Sequence, residues 1–137
     1  MIFFDTSVLV AALFESHQGH HRALQAFHQA TARAISTHAV AETYAILSGL
    51  PVSPRIGPTL AHHAVLSIVQ SVKVIELNGE DYSACLREAE IRHVQGGAIY
   101  DLLHVRAADK AGATQIMTFN LRHFRALVSD PARICEP

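Results

Sequence analysis

The chain predicts an α/β domain built on a mainly parallel sheet of four to five strands, with helices on both faces. Two observations carry this. Short apolar or β-branched runs alternate with stretches of helical periodicity from one end of the chain to the other. The chain has 137 residues, half of them hydrophobic, with no repeat and no linker, so it makes one domain with a proper core.

The elements follow in order. Met1-Ile2-Phe3-Phe4-Asp5 reads as a buried strand running into an acid. Thr6 or Ser7 then opens a short apolar helix over residues 6–14. Gly19 breaks the pattern, and Ala23, Leu24, Phe27 and Ala30 recur at helical spacing over 20–32. Ala34-Ile35-Ser36 is a short strand, and a long helix runs from Thr37 to Ser48, stopped by Gly49 and Pro51. Pro54 and Pro58 frame a loop that starts a helix over 58–71. The alternating run 72–77 is a strand. Asn78 caps the next helix, whose first turn carries Glu80 and Asp81 and which runs to Val94. Gly96-Gly97 separates it from a helix over 98–111, closed by Gly112. Residues 114–118 form the next strand, 121–127 a helix, and 133–135 an edge strand.

Several function classes are excluded or disfavoured by composition. The net charge of −1 gives no global attraction to nucleic acid, so such a ligand needs a local basic patch. The ten histidines are scattered, show no zinc signature and read mostly as surface residues. Cys85 and Cys135 suggest no disulfide framework and fit a reducing, cytoplasmic setting. The N-terminus lacks the basic start of a signal peptide. The longest apolar runs fall short of the roughly 20 residues of a membrane helix.

Most acids sit in polar company, as solvated residues do: Glu80, Asp81, Glu88, Glu90, Asp109 and Asp130. Three do not. Asp5 ends an apolar strand, Glu42 lies in a stripe with Ala39, Ile46 and Gly49, and Asp101 in one with Ala98, Val105 and Ala108. Each has an ordinary structural explanation: a helix cap for Asp5, a partner such as Arg106 for Glu42, a helix N-terminus for Asp101. Three in one small chain, each at or near a strand-to-helix junction, point instead to an oxygen-only cluster suited to Mg²⁺ or Mn²⁺, because buried like charges need a cation. Asn120, after the strand ending at Thr118, joins them at the sheet's carboxyl edge or caps the helix at 121; both roles are open.

These pieces resemble a PIN-domain ribonuclease, and specifically the VapC toxins of toxin–antitoxin pairs. The matching stretches come in the family's order: Phe4-Asp5-Thr6-Ser7, Ala41-Glu42-Thr43-Tyr44 leading to Leu47-Ser48-Gly49-Leu50-Pro51, Tyr100-Asp101-Leu102-Leu103, and Met117 through Phe124. The resemblance implies a single PIN-like domain over 1–137 and a Mg²⁺-dependent endoribonuclease, with Mn²⁺ as an alternative ion. It implies Asp5, Glu42 and Asp101 as catalytic and metal-holding acids, with Thr6, Ser7, Thr118 and Asn120 in support. Many members carry an Asp where this chain has Asn120, so a single metal ion is expected. The implied chemistry is metal-assisted phosphodiester hydrolysis. Arg122, His123 and Arg92 are the candidates for RNA phosphates, with Arg125 and His93 behind them. A small cognate antitoxin, an RNA substrate and a homodimer are the implied partners, and exposed apolar positions on the helices near 6–14 and 37–70 are the surface expected for the dimer or the antitoxin. The alternatives are a housekeeping RNA-processing nuclease and a non-catalytic module on the same fold.

Overall fold

Phe3 and Phe4 set the layering. In a strand, successive side chains leave on opposite faces. The computed structural model describes residues 1–137. In it β1 (Ile2–Phe4) sends Phe3 into one core with Ala34, Ile116, Leu102 and Phe124, and Phe4 into another with Leu9, Phe27, Ile35 and Met117. The same alternation splits Ala34 from Ile35 on β2 (Arg33–Ser36) and Ile116 from Met117 on β4 (Gln115–Met117). With β3 (Lys73–Ile75) and β5 (Ile134–Cys135) these make one five-stranded sheet, ordered β3-β2-β1-β4-β5 and parallel throughout.

Helices cover both faces. One core is closed by α5 (Gly79–Arg92), α6 (Ala98–Lys110) and α7 (Leu121–Leu127), the other by α1 (Thr6–Leu13), α2 (His20–Gln29), α3 (Thr37–Gly49) and α4 (Pro58–Val69). The sequence expectation of an α/β domain with a parallel sheet of four to five strands holds. A helix that is apolar all round must be buried, and α1 is: Thr6 and Val8 through Ala12 are all buried. Of the apolar positions expected to meet a partner near 6–14, only Leu13 and Phe14 at its end are partly exposed. No helix is long and apolar enough to cross a membrane.

Boundaries differ where backbone groups find other partners. The second helix stops at Gln29 because the Ala32 carbonyl accepts the Ile2 N–H at 2.9 Å, drawing 31–32 toward the sheet. The fifth helix stops at Arg92 because His93 takes a left-handed conformation (φ 54°), and the His93 and Val94 N–H groups turn back on the last carbonyls. The strand at 72–77 shortens to Lys73–Ile75.

This topology prepares a site. Strands β2 and β3 are added on one side of β1, and β4 and β5 on the other, so the crevice at the carboxyl ends of β1 and β4 is a topological switch point. Asp5 follows β1, Ser36 ends β2 and Thr118 follows β4.

Candidate active site

Asp5 is 5% exposed and serves two ends at once. As the N-cap of α1, its Oδ2 accepts from the Ser7 N–H (3.3 Å) and the Ser7 hydroxyl (2.6 Å). The same oxygen accepts from the Thr118 hydroxyl at 2.9 Å, across the β1–β4 crevice. Ser7 Oγ in turn accepts the Phe119 N–H (3.0 Å), and Thr118 Oγ1 accepts the Asn120 N–H (2.9 Å). Ser7 and Thr118 thus clamp the turn after β4 onto Asp5. The capping role and the site role hold together.

Glu42 lies in α3, half-buried. Its Oε2 accepts from the Thr6 hydroxyl at 2.6 Å and stands 3.2 Å from His104 Nε2. The hydrogen bond from His104, helped by that from Thr6, holds the Glu42 carboxyl below the usual range against the opposing effect of burial. One turn back, His38 Nε2 sits 3.9 Å from the same oxygen, and its ring stacks on Tyr100 with centroids 4.7 Å apart. Burial first, then the neighbouring His104, lowers the His38 pKa.

Asp101 is in the first turn of α6, partly buried. Its Oδ2 accepts from Asn120 Nδ2 at 3.2 Å and lies 3.4 Å from His123 Nδ1. Burial raises its pKa, and the charge of Asp5 raises it further. Asn120 stands at the N-cap position of α7, but its side chain makes no cap bond and bridges Asp101 and His123 instead.

His104 is the member that sequence reasoning missed. Counted among surface histidines, it is 1% exposed and lies at the centre of the cluster. Nε2 is 3.2 Å from Glu42, 3.3 Å from Thr6 Oγ1 and 3.6 Å from Asp5 Oδ1, while Nδ1 is 3.0 Å from Ser36 Oγ. The signal was its place three residues after Asp101 on one helix face, inside the apolar run Leu102-Leu103-His104-Val105.

Other expectations shift. Arg106 pairs with Asp81 (3.2 Å), not Glu42. Asp81 is buried, not solvated, because it also caps α5 and meets Lys110 at 2.7 Å. Arg92 is engaged by Glu88 (2.8 Å) and the Leu127 carbonyl (3.1 Å), so it is not gathered with the acids. Arg122 and His123 are exposed beside Asn120.

No group of three or more His, Cys, Asp or Glu side chains is arranged to hold a metal ion, since Glu42 directs its Oε2 to Thr6 and His104. Asp5 and Asp101 remain, and the Asp101 carboxyl is pushed up first by its burial and then by the charge of Asp5. Two carboxylates short of a cation suit a hard ion that binds through one or two carboxylates and keeps several waters.

Comparison with known proteins identifies the family. The family model described as "PIN domain" matches residues 2–128. Ribonuclease VapC40 of Mycobacterium tuberculosis (strain CDC 1551 / Oshkosh) is 38% identical over 122 residues, which cover 89% of this chain and 88% of that protein. Among solved structures, the sarcin-ricin loop cleaving toxin VapC20 of M. tuberculosis superposes with a TM-score of 0.68 at 20% identity, covering 85% of this chain and 87% of its own. VapBC2 from Rickettsia felis, bound to a promoter DNA fragment, gives 0.67 at 18% identity, covering 99% and 98%. FitAB bound to a DNA fragment gives 0.72 at 16% identity, covering 100% and 95%. At those identities the three structures bear on the fold alone.

Proposed function

Because this chain belongs to the PIN-domain family, we propose that it is a metal-dependent endoribonuclease and the toxin of a toxin–antitoxin pair. What supports the reading is the placing of Asp5 and Asp101 about the β1–β4 crevice, with Glu42 linked to it through Thr6 and His104, in a chain 38% identical to a ribonuclease over 89% of its length. The unit runs over 1–137, since β5 completes the sheet beyond the family match.

Asp5 and Asp101 are the carboxylates that hold a divalent cation, with Mg²⁺ the ion proposed and Mn²⁺ its substitute. Bound there, the ion supplies Lewis-acid stabilisation of the charge developing on a scissile phosphate and lowers the pKa of the attacking water. Glu42, kept ionised by its hydrogen bonds, accepts from and orients that water rather than binding the ion directly. Ser7 and Thr118 fix Asp5, and Asn120 fixes Asp101 without adding charge. With three acids and no fourth, one ion is enough. Arg122 and His123 offer the local positive surface that a net charge of −1 does not.

The antitoxin and a second copy of the chain are proposed partners. The open groove between α3 and α4, lined by Val40, Tyr44, Val65, Leu66 and Val69, is an apolar surface suited to them.

Purified protein with Mg²⁺ is expected to cleave a structured RNA, and Asp5→Asn to lose at least about 100-fold in rate. Equal cleavage by that variant overturns the site. Induced expression is expected to arrest growth unless an antitoxin is co-expressed; unimpaired growth favours a housekeeping nuclease.

A further inference from the structure

The acid cluster contains a buried imidazole, His104, and its hydrogen-bond geometry fixes what it does. Ser36 Oγ accepts the Ala39 N–H at 2.9 Å as the N-cap of α3, so its own proton is free to go elsewhere. The acceptor within reach is His104 Nδ1, at 3.0 Å. On the other side of the ring, Nε2 faces three oxygens: Glu42 Oε2, Thr6 Oγ1 and Asp5 Oδ1. The Thr6 proton is already given to Glu42, at 2.6 Å. A bare Nε2 would set its lone pair against three oxygens at 3.2 to 3.6 Å, whereas an Nε2–H gives its one proton to the nearest of them, Glu42 Oε2 at 3.2 Å. Phe3 and Phe124 pack beside the ring, with centroids 6.1 and 6.4 Å away, and with 1% exposure it has little freedom to turn.

We propose that His104 is the positioning residue of the acid cluster: anchored through Nδ1 by Ser36, it gives Nε2–H to Glu42 Oε2 and, standing 3.6 Å from Asp5 Oδ1, sets the spacing of these two carboxylates. This inference rests on the metal-site reading above. It explains why Glu42 turns toward α6 and Thr6 instead of joining Asp5 and Asp101. The ring nitrogen occupies the place between Asp5 and Glu42 that a further cation would otherwise take. Ser36 belongs to the device as the group that selects the ring's tautomer.

Two variants separate positioning from mere packing. His104→Gln can bring an amide N–H near the position of Nε2, while His104→Asn retains at most the contact toward Ser36. By calorimetry with Mn²⁺ alone, His104→Asn is expected to bind 10- to 100-fold more weakly than wild type, roughly the effect of losing an outer contact to a metal ligand. His104→Gln is expected to recover most of that affinity. In RNA cleavage the Asn variant is expected to lose kcat with KM unchanged. Equal Mn²⁺ affinity for wild type and the Asn variant overturns the proposal, as does equal loss in both variants. Should the variants not fold, ¹⁵N NMR of the wild-type imidazole decides. A ring carrying its proton on Nε2 with Nδ1 bare supports the proposal; a proton on Nδ1, with or without one on Nε2, overturns it. The ring measurement needs neither metal nor RNA, so a wild type that binds no Mn²⁺ defeats the metal-site reading separately.

Discussion

Two groups of buried acids lie on this fold and they are built on opposite principles. Asp81 has every need met by a partner. It caps α5 in a reciprocal capping box with Asn78, and it receives Lys110 and Arg106. Lys110 above all, then the Asn78 N–H, pull its pKa down to about 2. Asp5, Glu42 and Asp101 have hydroxyls, an amide and an imidazole for company, but no lysine or arginine among their contacts. There burial and a like charge push Asp101 upward. On the proposed reading, the contrast separates an acid that stabilises the fold from acids kept available for a cation. Burial alone does not distinguish them; the supply of positive charge does.

The largest expected effect tests that division directly. Asp101→Asn should reduce RNA cleavage by about 100-fold or more without lowering the melting temperature of the metal-free protein, because it removes a repelled charge. Asp81→Asn should do the reverse, leaving cleavage per folded molecule intact and lowering the melting temperature. Swapped outcomes in paired kinetics and thermal melts break the comparison.

A smaller effect comes from metal. Mn²⁺ or Mg²⁺ at about 100 times its dissociation constant should stabilise the native state by about 2.7 kcal/mol, read as an upward shift in thermal melting. The shift should survive Asp81→Asn and vanish in Asp5→Asn. A metal shift that persists in Asp5→Asn places the ion elsewhere.

The smallest effects are those of pH on the metal-free protein, and their signs differ. Asp81, with a depressed folded pKa, contributes stability that is complete above the ordinary carboxylate range and is lost as pH falls through about 2. Asp101, with a raised folded pKa, costs no stability below its unfolded pKa, and its penalty grows as pH rises through the folded value. His38, with a lowered folded pKa, favours the fold above its ordinary value near 6.5, and stability falls as pH drops below it. Thermal melts in chelator across pH 2 to 8 should show the low-pH loss disappear in Asp81→Asn and the loss below about 6.5 disappear in His38→Phe. Curves unchanged by those substitutions refute the assignments.

Much of this was legible in the chain. The alternation of apolar runs with helical periods is a local signal, and it predicted the parallel sheet and the two helical layers. Asp5, Glu42 and Asp101 stood out because each interrupts an apolar stripe. The failures share one cause: a side chain's partner is a long-range fact. Asp81 looked solvated because its sequence neighbours are polar, yet Lys110 reaches it from a different helix. Arg106 looked like a partner for Glu42 until Asp81 took it. His104 looked like one more scattered histidine, since nothing local shows that Ser36, 68 residues earlier, stands against its ring. Arg92 looked close to Asp101 in sequence, but its bond to the Leu127 carbonyl keeps it in other company.

The bond from Thr118 to Asp5 joins residues 113 positions apart. During synthesis the chain appears N-terminus first, so Asp5 and Glu42 exist long before the strand that completes their crevice. Neither the clamp on Asp5 nor the bridge from Asn120 to Asp101 can form until β4 has docked beside β1. A nascent or truncated chain therefore carries the acids without the active arrangement. Catalytic competence is among the last properties the molecule acquires, and the ribosome that makes it is not exposed to a finished nuclease until almost the whole chain has been made.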